Sequence, residues 1–360
     1  RYREAAAEAL PEVDLFLGTG AYDQILAAVE EVSPPAGHCL LPDPDQIKPQ
    51  AADTPRAEST GPMAYLKIAE GCDRHCTFCI IPKLRGRQKS RPLKAIVGEA
   101  QGLIARGVKE LVLVAQETTR YGHDLDGQVD LSALLAALSD MSANVWIRFL
   151  YGHPQSLTDD VLHTVAERPN LCNYFDLPIQ HSVDRVLKRM GRNYTNADLN
   201  AMITRIRGII PDAALRTTLI VGFPGETDED FEQRREFVQT VRFDHLGVFT
   251  YSDATDLASH RLPDPVDPEI AEHRLRILME AQRALSEFAL ARHLNRELTV
   301  LVEEAPDPGV FLGRTAVQAP EVDGLTNLPG ATAKTQVEIG QFVRVKIADT
   351  LAYDLVGESL

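Results

Sequence analysis

The sequence predicts an α/β fold, a partial barrel of six β/α units, followed by a small all-β barrel domain. Short apolar strands alternate with amphipathic helices from residue 63 to residue 251, which is the pattern of a parallel sheet with crossover helices. Residues 110–115 are almost continuously apolar, as in strands that are buried on both faces. Beyond residue 295 the helical periodicity stops, and short strands separated by Gly and Pro follow.

The chain divides into four predicted segments. Residues 1–32 predict a helix, the short strand 13–18 and a second helix near 22–32, which is too little to bury a core alone. We therefore expect the end of an N-terminal domain there. Residues 33–62 contain seven prolines with little periodicity, which indicates a linker. The core domain then covers residues 63–294 and the end domain residues 295–360.

Within the core, strands and helices follow one another in the order that a barrel requires. The predicted strands are 64–69, 110–115, 145–151, 174–177, 215–222 and 246–251. The predicted helices are 93–106, 131–138, 157–167, 183–190, 196–209 and 228–241, of which the first ends at Gly107. Active-site residues of such barrels lie at the C-terminal ends of the strands, and we expect them there.

The remaining elements complete the two domains. Residues 268–294 predict one long helix with apolar residues at helical spacing, which packs against the barrel. Predicted strands at 297–302, 310–316, 342–347 and 353–357 make the end domain a small β-barrel.

Composition and charge limit the classes of function. No apolar run approaches the length that crosses a bilayer, so we expect no membrane contact. The chain has only five cysteines, three of them in one motif, which favours a reducing cytoplasm over a disulfide framework. The formal net charge of -15 disfavours general nucleic-acid binding and favours a basic partner.

Three of the five cysteines, Cys72, Cys76 and Cys79, lie within eight positions. Thiolates on one short loop can converge on a single metal centre, and soft sulfur ligands favour iron–sulfur clusters, zinc or copper(I). Three ligands are one fewer than a closed site uses, so a coordination position stays open for another molecule. A zinc site completed by His75 is the alternative, but His75 is adjacent to Cys76 in the chain and is poorly placed to reach the same metal.

This loop resembles that of the radical S-adenosylmethionine (SAM) enzymes, with Phe78 as the aromatic residue before the last cysteine. The resemblance implies a radical SAM barrel in which the three cysteines hold a 4Fe–4S cluster and the fourth iron binds SAM. The end domain resembles the TRAM domain. Further motifs resemble the methylthiotransferases, in the branch that acts on small-subunit ribosomal protein S-twelve: SRP (90–92), QETTRYG (116–122), LPIQHS (177–182), VLKRM (186–190), LRTTLIVGFPGET (215–227) and APEVDG (319–324).

The resemblance implies the reaction as well. Members of this branch add a methylthio group to the β-carbon of an aspartate in the ribosomal protein, with electrons from an external donor. The family carries a second 4Fe–4S cluster on three cysteines of its N-terminal domain. Only Cys39 precedes the motif in this chain, so the ligands of that second cluster are expected to be absent from it.

Residues at the predicted strand ends are the candidates for contacts with SAM. Gln116 and Glu117 are placed to meet the methionyl amino group or the ribose, or else they cap a solvated loop. Gln180 and His181 are placed to orient the ribose or the carboxylate, unless His181 is a structural histidine.

Two further groups have a functional and a structural interpretation. Gly222, Gly225 and Glu226 would let the backbone approach adenine closely, or they form a tight strand-to-helix turn with Glu226 in the first helical turn. A basic run beyond the cysteines could bind a carboxylate of the cofactor or of the target aspartate, or be a solvated face: Lys83, Arg85, Arg87, Lys89 and Arg91.

The charge of the end domain bears on the choice of substrate. Residues 295–360 contain five basic and ten acidic residues, so this domain should repel a tRNA backbone and attract a basic ribosomal protein. The acidic residues could instead serve only solubility. A tRNA methylthiotransferase, or a metal-stabilised scaffold that binds ribosomal protein without chemistry, are the alternative functions.

Overall fold

The computed structural model describes residues 2, 4–21, 24–30, 38–47, 61–127, 129–329 and 337–360. Much of the predicted linker, residues 33–37 and 48–60, lies outside the described residues, as does part of the helix predicted near 22–32. Among the helices of the described ranges, none is long and apolar enough to cross a membrane.

The N-terminal segment contains two short helices and two short strands. They are α1 (Glu4–Ala9), β1 (Leu15–Leu17), α2 (Ile25–Glu30) and β2 (His38–Leu40). β1 and β2 pair in parallel, so the region predicted as linker contains a strand. The sequence analysis missed this strand because it has only three residues and prolines lie on both sides of it. Thr19 Oγ1 donates a hydrogen bond to the carbonyl of Leu84 at 2.7 Å, which attaches the segment to the core domain.

Six parallel strands form the predicted partial barrel. The core domain begins with β3 (Met63–Lys67), the antiparallel pair β4 (Ala69–Glu70) and β5 (Lys89–Ser90), and then β6 (Glu110–Val114), β7 (Trp146–Phe149), β8 (Tyr174–Asp176), β9 (Ala214–Val221) and β10 (His245–Thr250). The sheets β3-β6-β7 and β8-β9-β10 are each parallel, and a bridge between Ile147 and Leu171 links them. The predicted fold class is therefore confirmed.

Helices cover the outside of the strands. They are α3 (Ile81–Arg85), α4 (Leu93–Ala105), α5 (Leu131–Ser139), α6 (Asp159–Glu167), α7 (Asp184–Arg189), α8 (Asn196–Ile209), α9 (Asp228–Val241) and α10 (Pro268–Ala291). Capping boxes begin α8 at Thr195 and α9 at Thr227, and satisfy backbone N–H groups that have no partner within the helix.

The strands present alternate residues to two different environments. Leu111 and Leu113 of β6 pack into the large core between sheet and helices, with Ile96 and Leu134. Val112, between them, belongs to a second cluster that includes Tyr174 of β8. Because successive side chains of a strand point to opposite faces, the second set lines the barrel lumen.

The end domain is a closed barrel of five strands. They are β11 (Glu297–Asp307), β12 (Val310–Thr315), β13 (Thr326–Pro329), β14 (Phe342–Thr350) and β15 (Leu355–Ser359), in the order β11-β12-β13-β15-β14 with β14 pairing back to β11. The four predicted strands are present, and β13 was missed because its four residues include Asn and Pro.

One segment of the end domain enters the barrel of the core. Residues 316–324, here called the plug, follow β12 and carry the APEVDG motif. Tyr65 donates a hydrogen bond to Glu321 at 2.9 Å, and Tyr174 donates one to Asp323 at 2.6 Å. Ala319 packs in the apolar cluster with Ala214, the first residue of β9. The plug therefore fills the N-terminal end of the lumen and leaves the C-terminal end for the candidate site.

Candidate active site

The loop that carries the three cysteines, residues 71–80, follows β4 and begins under tight backbone constraint. Gly71 has φ of 85°, and a Cβ there would lie 2.1 Å from the carbonyl oxygen of Arg87, so only glycine fits. The N–H of Gly71 donates to Gln116 Oε1 at 2.7 Å, and the N–H of Cys72 donates to the carbonyl of Gly86 at 3.0 Å. Gln116 thus holds the entry of the cysteine loop.

The far side of the cysteine loop is fixed to the end of α7. Thr77 donates two hydrogen bonds, from its N–H to the carbonyl of Met190 at 3.0 Å and from Oγ1 to the carbonyl of Arg189 at 2.9 Å. Gly191 follows with φ of 72°, where a Cβ would lie 2.7 Å from the carbonyl oxygen of His75. The close approach of two backbones explains the glycine after the VLKRM motif.

Glu117 holds the middle of the cysteine loop through Arg74. The Arg74 Nε and Nη2 donate to the two carboxylate oxygens of Glu117 at 2.9 and 2.7 Å, in a bidentate pair. Ser156 Oγ donates to the same carboxylate at 2.7 Å, and Glu117 is only 2% exposed. The structure therefore places Glu117 against the protein's own cysteine loop.

The three thiols share one environment. Burial raises the pKa of Cys72 to about 11, with smaller contributions from the nearby Glu117, Cys76 and Cys79. Among the residues that the structure describes, no three His, Cys, Asp or Glu side chains are gathered tightly enough to hold a metal ion. The cysteines nevertheless fit an iron–sulfur cluster by their donor chemistry, since three soft sulfur ligands on a loop fixed at both ends leave one open position.

Arg192 is a candidate that the sequence analysis missed. Its guanidinium carbon lies 5.6 Å from the ring centre of Phe78 and 5.9 Å from that of Tyr194. The side chain is largely buried, and within the described part of the chain its Nε has no hydrogen-bond partner. A buried cation with a vacant donor beside Cys79 is suited to a carboxylate ligand. The sequence offered one signal for Arg192, because it lies only two residues beyond the VLKRM motif that ends at Met190.

Gln180 and His181 are neighbours in the chain but lie in different environments. Gln180 is partly exposed and has φ of 67°, and its backbone bridges to β9. His181 is fully buried, its Nδ1 accepts from the N–H of Val183 at 3.0 Å, and burial lowers its pKa to about 4. Its Nε2 lies 3.7 Å from Glu226 Oε2. His181 is therefore a neutral histidine inside the domain.

Glu226 is the centre of a buried ionic cluster. Arg234 and Arg274 each donate to its Oε1 at 2.9 Å, and the N–H of Gly222 donates to Oε2 at 3.1 Å. Burial alone would raise the pKa of Glu226, but its interactions with His181 and the two guanidinium groups lower it to about 2. Both carboxylate oxygens are thus engaged within the protein.

Gly222 and Gly225 have positive φ values of 75° and 82°. A Cβ on Gly222 would lie 2.4 Å from Cβ of Ala271 in α10, and one on Gly225 would lie 2.4 Å from Cζ of Arg189. Protein neighbours therefore explain both glycines, and close approach to adenine stays a prediction.

The basic run beyond the cysteines is dispersed. Arg85 pairs with Glu70 at 3.1 Å, Lys89 donates to the carbonyl of Pro44, and Arg91 is buried and pairs with Glu99 at 2.7 Å. Lys83 and Arg87 are exposed. These five cations do not form one carboxylate site.

Comparison with known proteins assigns the class and then the family. Residues 66–238 match the model described as "Radical SAM superfamily", and residues 296–360 match the "TRAM domain". Together with the barrel and the cysteine loop, these matches make the chain a radical SAM enzyme with a C-terminal TRAM domain. Coproporphyrinogen III oxidase (HemN) from Escherichia coli, a radical SAM enzyme, is similar to it with a TM-score of 0.46 and 16% identity, over 71% of this chain and 67% of that chain.

Two relatives narrow the assignment. "Ribosomal protein uS12 methylthiotransferase RimO" from Desulfosudis oleivorans is 51% identical over 100% of this chain and 81% of its own length. The protein of the same name from Clostridioides difficile is 43% identical over 100% of this chain and 80% of its own length. The chain belongs to the RimO family of radical SAM methylthiotransferases.

Proposed function

We propose that this chain adds a methylthio group to the β-carbon of an aspartate in ribosomal protein uS12. The observation that carries the proposal is the cysteine loop, which Gln116, Glu117 and the end of α7 fix beside the open end of the barrel lumen. Membership of the RimO family supports the substrate. Cys72, Cys76 and Cys79 would hold the 4Fe–4S cluster.

The proposed roles of the other residues follow from their positions. When bound, the cluster and SAM together would supply radical chemistry at the target carbon. Arg192 would bind the SAM carboxylate, since it is a buried cation with an unsatisfied donor beside the loop. Gln116 and Glu117 would keep the cysteine loop in place, and Gln180 would contact the ribose from its exposed side.

The partners in this proposal follow from charge. A chain of net charge -15 attracts a basic ribosomal protein, and nucleic acid is not its direct substrate. An external electron donor supplies the reductant. We place the reaction in the cytoplasm, where thiols stay reduced and ribosomal proteins are made.

The experiment measures SAM cleavage after anaerobic reconstitution with iron and sulfide. The expected outcome is a brown protein that forms deoxyadenosine on reduction with SAM. Cys76→Ala should lose both the colour and the deoxyadenosine. Cys172→Ala, which changes a buried cysteine of the lumen cluster, is the matched control and should keep both. Deoxyadenosine formation by Cys76→Ala at the control rate would contradict the assignment.

Methylthio transfer is tested with the full-length gene product. Mass spectrometry of a uS12 peptide should show one added methylthio group on the aspartate. Modification of tRNA, with a steep loss of tRNA binding on addition of salt, would instead support the tRNA-modifying alternative.

A further inference from the structure

The lumen above the plug contains a cation that protein groups do not fully engage. Arg216 of β9 points into the lumen, with 14% of its side chain exposed. Its Nη1 lies 3.2 Å from Asp176 Oδ1 and 3.4 Å from Thr218 Oγ1, and its Nε lies 3.4 Å from Asp323 Oδ1 in the plug. Its Nη2 donates to no residue in the described ranges.

The free nitrogen faces a small space on the neighbouring strand. A Cβ built on Gly247 of β10 would lie 3.6 Å from Arg216 Nη2, 3.5 Å from Phe249 Cε2 and 3.9 Å from Thr218 Oγ1. Gly247 thus leaves a gap bordered by a guanidinium, a hydroxyl and an aromatic ring. Phe249 is 59% exposed, so the gap is open towards the C-terminal end of the barrel.

The guanidinium lies at the level where two strands end. Asp176 is the last residue of β8, and its second oxygen accepts from the N–H of Tyr151, two residues beyond β7. Because Arg216 Nη1 contacts the first oxygen of Asp176, the guanidinium is near the edge of the barrel that carries the cysteine loop. A group bound there is inside the lumen and accessible from the candidate active site.

We propose that Arg216 Nη2, with Thr218 Oγ1, binds the side-chain carboxylate of the uS12 aspartate and so selects an acidic residue for modification. The proposal rests on the proposed function and adds the residue that recognises the substrate. A carboxylate matches a guanidinium nitrogen and a hydroxyl donor, and the ring of Phe249 borders the place for the aspartate β-carbon.

The neighbouring charges favour anion binding at Nη2 of Arg216 over anion binding on the side that faces the plug. On the plug side lies a cavity of about 400 Å³ that is lined by Asp323 and Asp354 as well as by Arg216 and His245, and its two carboxylates disfavour an anion there. Asp176 contacts the other terminal nitrogen, Nη1, and no hydrogen bond joins Nη2 to a carboxylate of the described residues.

The test compares two synthetic peptides of the uS12 loop, one with the target aspartate and one with asparagine in its place. The full-length reconstituted enzyme should strongly prefer the aspartate peptide. Arg216→Gln should lower kcat/KM for the aspartate peptide by roughly 10- to 100-fold, the loss of a charge-assisted hydrogen bond. It should also bring the ratio between the two peptides close to one.

Two further variants keep the test decisive. Gly247→Ala makes only ordinary contacts, so it should fold, but its methyl group occupies the gap and should raise KM for the aspartate peptide. Asp323→Asn removes the charge that Arg216 contacts in the plug, and this variant should keep the preference for the aspartate peptide. If Arg216 had only a structural role, Arg216→Gln and Asp323→Asn should lose that preference equally. Arg235→Gln, an exposed cation of α9, is the charge control.

The outcomes separate this inference from the proposed function. An unchanged aspartate-to-asparagine ratio in Arg216→Gln, or an unchanged KM in Gly247→Ala, overturns the role of Arg216. An unmutated enzyme that cleaves SAM but modifies neither peptide overturns the proposed function itself.

Discussion

At the scale of single residues, Glu117 links the barrel to the cysteine loop. Its carboxylate is almost fully buried and accepts hydrogen bonds from Arg74 and Ser156. Such a pair is costly to break, because each charge is left in a poorly solvated place. The position of Cys72, Cys76 and Cys79 in space thus depends on a carboxylate at the end of another strand.

Replacement of Glu117 by Gln should therefore loosen the cysteine loop. The amide keeps one acceptor but loses the charge that pairs with Arg74, at a cost of roughly 1.5–3 kcal/mol. We expect less iron per chain after gel filtration and slower deoxyadenosine formation. Glu232→Gln, which removes a carboxylate of the exposed pair with Arg235, is the control. Full iron retention in Glu117→Gln would show that the loop does not need this pair.

Buried histidines give the fold a defined acid sensitivity. Burial lowers the pKa of His153 to about 2 and the pKa values of His181 and His293 to about 4. In the unfolded chain each takes up a proton near pH 6.5, whereas in the folded chain each stays neutral to much lower pH. Their stabilising effect is complete above about pH 6.5. It falls as the pH drops towards 4.

This effect predicts a pH-dependent free energy of unfolding. Urea unfolding of the metal-free chain should show stability falling between about pH 6.5 and pH 4. His181→Asn keeps an acceptor for the N–H of Val183 and removes one titrating group, so its slope should be smaller. An identical slope in both proteins would mean that the pKa of His181 is the same in the folded and the unfolded chain.

At the scale of elements, short α7 supports the cysteine loop through its C-terminal end. Thr77 binds the carbonyls of Arg189 and Met190, and Gly191 allows the two backbones to approach. A helix of six residues has little stability of its own, so these contacts and the packing of Leu187 fix it.

Gly191→Ala should disturb both elements. The left-handed backbone costs an alanine roughly 1–2 kcal/mol, and the added methyl group would press on the carbonyl of His75. We expect a lower unfolding midpoint together with weaker cluster retention. Gly208→Ala in α8 has open space and should be neutral or slightly stabilising. Equal effects of the two variants would contradict the support given by α7.

Local signals explain which elements and site residues the sequence could predict. α8 and α9 have the bounds that were predicted, and threonine capping boxes mark their first turns. The cysteine motif was found because its spacing is local. β4 and β5 have two residues each and depend on pairing with one another, so no periodicity reveals them. Arg192 lies two residues beyond the VLKRM motif and Arg216 lies within LRTTLIVGFPGET, but the role of each became visible only from the neighbours that the fold gives it.

At the scale of the whole molecule, a buried ionic cluster joins the two domains. Glu110, the first residue of β6, is fully buried and contacts Arg148 of β7 and Arg314 of β12. Burial would raise the pKa of Glu110, but the two guanidinium groups lower it overall. Trp146 and Phe342 pack beside this cluster, with ring centres 4.7 Å apart. The end domain is thus part of the wall and floor of the core barrel.

Glu110→Gln should therefore destabilise both domains together. It leaves the buried Arg148 without a counter-charge, while Arg314 keeps its pair with Glu303, and the cost is about 3–5 kcal/mol. Trp146 is the only tryptophan of the chain, so its fluorescence reports on the contact with Phe342. We expect the fluorescence and circular dichroism transitions in urea to shift together to a lower midpoint.

The matched control for this prediction lies on the surface of the end domain. Glu297→Gln removes the carboxylate of an exposed pair with Arg344, which should cost at most about 1 kcal/mol. If Glu110→Gln changed the tryptophan fluorescence well before the loss of helical signal, the end domain would detach while the core stays folded. Coincident transitions would instead mean that the acidic end domain and the radical SAM barrel fold as one unit. The floor of the barrel lumen would then exist only when both domains are folded.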